Sequence, residues 1–599
     1  MASPDSHQKS RRRFLKTTGL AGSVGVAAIA GCIGDDDEPE DPEAPEDDDV
    51  EDDDIDVDDD DDDEEVVDDD IEVVDDPDGE PVPTIAYENL GPYAPLRHWY
   101  GQEHAEIFRD LGFEVEHEAR ALDAHLERLF DSRDFDYTIQ RWLDGFDPDN
   151  ALRTPASEET LTPGGGNVAG HVDEWYEDQL AAQRGAVDAD ERQEIVHEML
   201  AYLTEEQVLH PIVVQDRAMP YRTDRVSNVR GTLEDGLASI WNMIQIETED
   251  GMLSAASHED FTSLDAVTGL VTRANRDMIS IVYDRLMHAD PDEEYTPQPW
   301  AAESVEWVDD TTVEVTLRDG MEWHDGESVT AEDVVFTYEY HAEQNPDFAG
   351  LAANLDNVEA ETDVLARFDL AQPDAIFESV LLAGRNSSLI PQHVWEGREP
   401  DDIVAEEEYI GSGPYQYESM VLGEELRLSA HDGHHHEPNI DEFIRIETAD
   451  PSGTASAVLG GEVDMANFDL PPDQLISLEE DPDIELESAL MTSTHFGVMN
   501  RRREPFANPD VREAIAHTIP RDDIVEIGAD GFAEPIVVTL SPGLEFWYNP
   551  DAPEFPYDLD QARQILGGAG FQQDQDGVLH FPPDYEPAEE WADPHEPPS

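Results

Sequence analysis

Four places in this sequence carry residue types whose spacing could do chemistry. Arg141-Trp142-Leu143-Asp144-Gly145-Phe146-Asp147-Pro148-Asp149-Asn150 sets a tryptophan among several carboxylates. Trp142 could wall an apolar pocket while Asp144 and Asp147 meet a cationic group. Equally, Trp142 could be packing and the acids could cap a loop. His431-Asp432-Gly433-His434-His435-His436-Glu437-Pro438 is the densest histidine group, and adjacent imidazoles could bind nickel or zinc. Asn500 ends the strand-like run Phe496-Gly497-Val498-Met499, as a polar contact or as a strand-end cap. Cys32 is the only cysteine, which excludes an intramolecular disulfide and a cysteine-based metal centre. Enzyme signatures are missing. Gly411-Ser412-Gly413-Pro414 is too short for a phosphate loop and lacks its lysine, and there is no nucleophile elbow or metal-ligand helix. No catalytic residue and no cofactor is expected.

Elements must position these residues. Thr84-Ile85-Ala86-Tyr87 reads as a strand. Leu96, Tyr100, His104, Ile107, Phe108 and Leu111 then lie on one helical face, with Gly112 as a stop. Phe113–Glu116 alternates as a second strand, Leu122, Leu126, Leu129 and Phe130 mark a second helix, and Phe135–Ile139 is a third strand. Strand–helix–strand–helix–strand at this spacing predicts right-handed crossovers and a parallel sheet. Ligands of such sheets sit beyond the carboxyl ends of the strands, and the third strand runs straight into Trp142 and Asp144. Helices follow at about 173–183 and 189–204, then a short buried strand at 210–214.

A longer pattern begins at Trp300. Ser304–Val308 and Thr312–Leu317 alternate with the period of half-buried strands, and Asp309-Asp310 is a turn between them. Thr330 and Asp333 are spaced as a capping box. The run Trp300-Ala301-Ala302-Glu303-Ser304 through Leu317-Arg318-Asp319-Gly320, Trp323, Asp325-Gly326 and Thr330-Ala331-Glu332-Asp333-Val334 resembles the signature of the extracellular solute-binding proteins of family 5. That family comprises oligopeptide, dipeptide and nickel receptors of ABC importers. Ile410-Gly411-Ser412-Gly413-Pro414-Tyr415, Gly461-Glu462-Val463-Asp464, Asn508-Pro509-Asp510-Val511-Arg512-Glu513-Ala514-Ile515 and Tyr557–Leu566 with Ala569-Gly570-Phe571 also resemble family segments, in the family's order.

The resemblance implies a periplasmic-binding-protein type II-like two-lobed α/β clamp with an extra small domain. In the family, a segment like Trp142-x-Asp144, one residue longer and followed by Asp-Pro, carries the acid that pairs with a peptide's α-amino group. The strand ending at Asn500 would face the ligand. The histidine run would be a solvated surface loop, where the family usually has an aromatic pair; a metal site on His434, His435 and His436 is the alternative. His324, His393 and His495 are expected in the core or hinge. The order, however, departs from the family. The segment from Thr84 to about Ile246 resembles the family's C-terminal part, yet it comes first. Ser263-Leu264-Asp265 and Ile281–Met287 resemble the family's beginning. A circular permutation is therefore expected, with the break between about Pro582 and Thr84 and the usual termini joined near 247–258.

The expected division is 1–31 signal, 32–83 acidic disordered tether, 84–210 and 491–583 one lobe, 211–296 and 389–490 the other, 297–388 the small domain and 584–599 a disordered tail. Ser10-Arg11-Arg12-Arg13-Phe14-Leu15-Lys16 resembles a twin-arginine export signal, and Ile29-Ala30-Gly31-Cys32 a lipobox, so Cys32 would be lipidated. The apolar run at 17–31 is too short for a membrane span. The protein would then sit on the extracellular face of the cytoplasmic membrane. Asp and Glu number 145 against 33 Lys and Arg, a formal net charge of −112. Such a surface repels nucleic acid. It resembles a halophile's protein, and structure is expected to be lost at low salt. The expected partners are a peptide or small-molecule ligand and ABC permease subunits, with the receptor a monomer.

Overall fold

The computed structural model describes residues 71–597, apart from 92–93, 143–144, 269–271 and 404–408. The signal, Cys32 and most of the acidic tether lie outside the described residues. No helix among the described residues is long and apolar enough to cross a membrane.

Two long antiparallel strands, Leu209–Arg222 and Ile484–Met499, run through the middle of an eleven-stranded sheet. Leu209–Val214 and Met491–Met499 are buried throughout, as expected of strands covered on both faces. Their register runs from Ile484↔Arg222 to Leu490↔Asp216, is interrupted, and resumes from Thr494↔Val214 to Val498↔Leu209 with a one-residue shift between His495 and Phe496. The interruption splits each strand into two halves serving different neighbours. Below it, the Leu209–Arg222 strand meets Met465. From there the sheet continues through Met252–Ser257, Glu442–Glu447, Glu425–Ala430 and Tyr415–Val421. Above it, Thr494–Met499 pairs with Tyr137–Trp142, which leads to Ile85–Leu90 and Val115–Arg120. These last three strands are mutually parallel where they pair, the arrangement predicted from their spacing.

The fold is a mixed α/β architecture of two lobes. The first lobe buries Leu253, Phe261, Met278, Tyr283, Trp300, Trp395, Tyr415 and Phe443 in one core. The second has one core around Ile85, Tyr87, Phe108, Tyr137, Ile515 and Phe571, and another around Leu152, Tyr176, Met199, Leu203 and Phe496. A separate four-stranded antiparallel sheet, Ala302–Asp309, Thr312–Leu317, Leu365–Leu370 and Leu355–Ala360 in spatial order, packs with helix Ala331–Gln344 around Val313, Val315, Trp323, Tyr338 and Phe368. The Thr330–Asp333 capping box is formed, with the Thr330 N–H donating to Asp333 Oδ2 at 2.9 Å.

Three boundaries differ from expectation. The crossing strand Leu209–Arg222 serves both lobes, because Ile212 and Val213 lie in the second lobe's core while Met219 and Tyr221 lie in the first's. The chain takes up structure before Thr84. Ile71 packs on the second lobe's core, and Glu72–Val73 pairs in parallel with Gln572–Gln573. Val82 N–H donates to Leu579 O and Phe581 N–H to Glu80 O, both at 2.9 Å. Gly79 permits that approach, since a Cβ there would lie 1.7 Å from Phe581 O. The disordered tail is also corrected. Tyr585 packs on Phe581, Trp591 lies 5.3 Å under the Arg502 guanidinium, and Arg502 Nε donates to Pro594 O at 2.8 Å.

Candidate functional site: the crossover between the lobes

The interrupted register at Leu490–Thr494 is where the two lobes join, and the buried Arg217 and Arg273 lie beside it. Glu234 is the hub. It sits in a tight loop in which Gly236 N–H donates to Thr232 O at 2.9 Å, and its own φ is +62°. That left-handed conformation costs a non-glycine residue about 1 kcal/mol or more. The turn brings both its carbonyl and its carboxylate to the same arginines. Glu234 O accepts from Arg217 Nη1 at 2.7 Å and from Arg273 Nη2 at 2.8 Å. One carboxylate oxygen pairs with Arg273. The other accepts from Thr492 N–H at 2.9 Å and Thr492 Oγ1–H at 3.0 Å. Burial pushes the Glu234 carboxyl up, but Arg273, Arg385, the Thr492 amide and Arg217 outweigh it and hold the group well below the usual carboxylate range. Arg217 is fully buried and also meets Asp277 at 3.3 Å and Asp469 at 3.5 Å. Burial pushes Asp277 up, only partly offset by Arg217 and Arg273.

Trp142 closes its strand opposite Thr494, and Gly145 N–H donates to the Thr492 hydroxyl at 3.2 Å. The residues flanking the expected ligand-binding segment thus lie at the crossover. Asp144 itself lies outside the described residues. Asp147 is fully engaged. Arg192 grips it with two bonds of 2.7 and 2.8 Å, Ser379 Oγ donates at 2.7 Å and Asp149 N–H at 2.9 Å. Burial opposes its charge, but Arg192 wins and the carboxyl lies below its ordinary value. Since Ser379 lies beyond the small domain's last strand, Asp147 ties the second lobe to that domain. Phe146 stacks on Tyr295, just ahead of that domain, at 5.0 Å. Asn500 is 2% exposed and spends its amide locally. It donates to Arg133 O and Phe135 O at 3.1 and 2.9 Å, and its Oδ1 accepts from the Arg502 guanidinium at 3.2 Å. That is the strand-end role of the two considered.

The sequence reading passed over Glu234, Arg217, Arg273 and Thr492. One signal was available. Arg217 follows the apolar stretch Ile212-Val213-Val214 and Arg273 precedes Met278-Ile279 in a chain with few cations, and burying an arginine there requires paired carboxylates.

The histidine loop is not the expected solvated loop. His434 is 5% exposed, and the loop packs on Trp300, with the His436 ring stacked at 4.3 Å and the His435 ring edge-on at 5.4 Å. Beneath lies Asp284, wholly buried. Its Oδ1 accepts from Trp300 Nε1 at 2.7 Å and contacts His434 Nε2 at 3.1 Å. Asp284, His434 and His435 each bring a metal-ligating atom to within 4.8 Å of the others. Burial pushes His435 down to about 3 and so keeps it neutral. Burial also lowers His434, but the Asp284 carboxylate reverses this and raises it.

Residues 296–593 match the family model described as bacterial extracellular solute-binding proteins, family 5 Middle. The chain is 27% identical over 323 residues to the oligopeptide-binding protein AppA of Bacillus subtilis, covering 51% of this chain and 57% of that protein. It is 27% identical over 278 residues to the glutathione-binding protein GsiB of Escherichia coli K12, covering 45% and 52%. The chain therefore spans about half the length of the curated relatives it matches. Among solved structures it is similar to AppA in complex with a nonapeptide (23% identity, 56% of this chain and 67% of that one, TM-score 0.43). It is likewise similar to NikA from Brucella suis in complex with Fe(III)-EDTA (19%, 53% and 64%, TM-score 0.45). Family and relatives together support a solute-binding protein of family 5.

Proposed function

We propose that this chain is the solute receptor of an ABC importer, capturing peptides or similar small solutes between its lobes and releasing them to a permease. The observation that carries the reading is the crossover. Two continuous strands pass between the lobes through an interrupted register, beside a buried arginine–carboxylate network and the ends of the Trp142–Asp149 segment. Two lobes on such a hinge can close over a ligand and expel water. The chain does no chemistry of its own. Trp142 would wall the pocket and Asp144 would meet the peptide's α-amino group. Asp147, held by Arg192, would fix the loop that presents them. We further propose that Cys32 carries the lipid that anchors the receptor on the outer face of the membrane.

We propose also that the family's order is circularly permuted here. Supporting this, the match begins only at residue 296 and the chain aligns with about half of each relative. Residues 79–82 are hydrogen-bonded to 579–581, where the permuted break would fall. Phe581 and Ile85 share one core. The polar run 247–251 leads directly into the central strand Met252–Ser257.

The test is calorimetric titration of the full chain, at multi-molar salt, with defined tri- to pentapeptides. One site of micromolar or tighter affinity is expected, weakened at least about tenfold by Asp144→Ala and by blocking the peptide's amino terminus. Absence of binding to every peptide tried would overturn the reading.

A further inference from the structure

In the first lobe, four histidines and one aspartate surround Trp300, and several of their polar atoms have no partner. Asp284 is fully buried. Its Oδ1 is shared by Trp300 Nε1 and His434 Nε2, but its Oδ2 meets no hydrogen-bond donor. His435 Nε2 is likewise buried without a partner. So is Nε2 of His288, whose ring packs on the same tryptophan at 4.7 Å. Buried polar atoms in folded proteins are almost always satisfied, and a buried carboxylate oxygen is among the most costly to leave open. Something with spare coordination capacity belongs there.

The donor set says what. One carboxylate oxygen and two imidazole nitrogens lie within 4.8 Å of one another. A hard cation such as magnesium or calcium prefers all-oxygen shells; histidines with one carboxylate suit a borderline ion such as zinc. The outer contacts also fit. His434 Nδ1 lies 3.0 Å from the His436 carbonyl and 3.1 Å from the His436 N–H, so its tautomer decides between donating to the first and accepting from the second. With Nε2 on a metal, Nδ1–H would donate to that carbonyl, the kind of support that orients metal-bound histidines. Trp300 Nε1 already fixes the other oxygen of Asp284.

We propose that Asp284, His434 and His435 form a binding site for a single divalent transition-metal ion of the zinc type. Three protein ligands leave one position for water. The ion pins the 431–439 loop to Trp300 and stabilises the first lobe. Asp432, Gly433 and Glu437 on the loop's outer side are exposed, so the ion can enter by movement of the loop alone. This site is independent of solute capture at the crossover.

The experiment is calorimetric titration of the full chain with zinc at multi-molar potassium chloride, with excess magnesium present to occupy the many surface carboxylates. One zinc per chain is expected. His435→Gln should weaken it at least about 100-fold. Because His435 Nε2 has no partner, this variant loses no hydrogen bond and should fold. His393→Gln, at an exposed pair with Asp325 outside the cluster, should leave zinc binding unchanged. X-ray absorption of the zinc-loaded chain should report two imidazoles. Zinc heats abolished by magnesium, or unaltered in His435→Gln, would overturn the proposal. Peptide titration of the same variant should match wild type, which separates failure here from failure of the receptor reading.

Discussion

The crossover and the histidine cluster each bury a carboxylate beside nitrogen donors, yet they treat it in opposite ways. Glu234 has both oxygens filled, one by Arg273 and one by the Thr492 amide and hydroxyl, and its carbonyl is filled as well. Asp284 has one oxygen doubly used and the other empty. A carboxylate whose oxygens are both filled fixes geometry and has nothing left to offer a ligand, although Nε of Arg217 and of Arg273 beside it find no hydrogen-bond acceptor. An open oxygen beside imidazole nitrogens that lack partners retains capacity to coordinate. Burial and charge alone would rank the two sites together; the count of unfilled lone pairs separates them. By that count Asp147, one of the two acids that the sequence puts forward for a ligand, belongs with Glu234.

The sharpest way to break this comparison is to empty the saturated site. Glu234→Ala leaves Arg217 and Arg273 buried with a partner removed. Loss of one member of a buried ion pair costs about 3–5 kcal/mol. Equilibrium denaturation at multi-molar salt should find that loss. A change below about 1 kcal/mol would mean the network does not hold the crossover together.

A smaller effect comes from buried groups that have no countercharge at all. His341 is buried against the Ser388 carbonyl, and burial lowers its pKa from 6.5 to about 4. The unfolded chain then binds more protons than the folded one between about pH 6.5 and 4. Stability should fall as pH drops through that window and level off below it, by up to about 3 kcal/mol from this residue. His125, also lowered by burial to about 4, adds in the same direction. His341→Gln, which keeps a donor for the Ser388 carbonyl, should flatten the pH dependence of the denaturation midpoint. An unchanged slope would contradict the assignment.

Local pattern made much of the fold legible. Alternation located the strands at 302–317, Thr330 with Asp333 started the small domain's helix, and Gly112 stops its helix at a φ of +95°. Asn508 caps its helix by accepting from Asp510 and Val511 N–H at 2.8 and 3.2 Å. Each of these rests on residues within one or two turns of each other. What escaped depends on distance along the chain. Glu234 meets Thr492 across 258 residues, and His434 meets Asp284 across 150. A run of histidines among Asp, Gly and Glu has the composition of a surface loop, and only the distant carboxylate and Trp300 make it a buried one. The last fifteen residues read as polar and proline-rich, yet Trp591 and the backbone at Pro594 find Arg502.

The central claim is that the crossover is a hinge which a solute closes. Val187, 62% exposed on the second lobe, and Leu422, 64% exposed on the first, are suited to spin labels once each is replaced by cysteine in a Cys32→Ser background. Pulsed electron resonance at high salt should record a broad distance distribution without ligand and a narrower, shifted one when a bound peptide is present. A distribution that does not change while calorimetry shows the peptide bound would contradict the hinge.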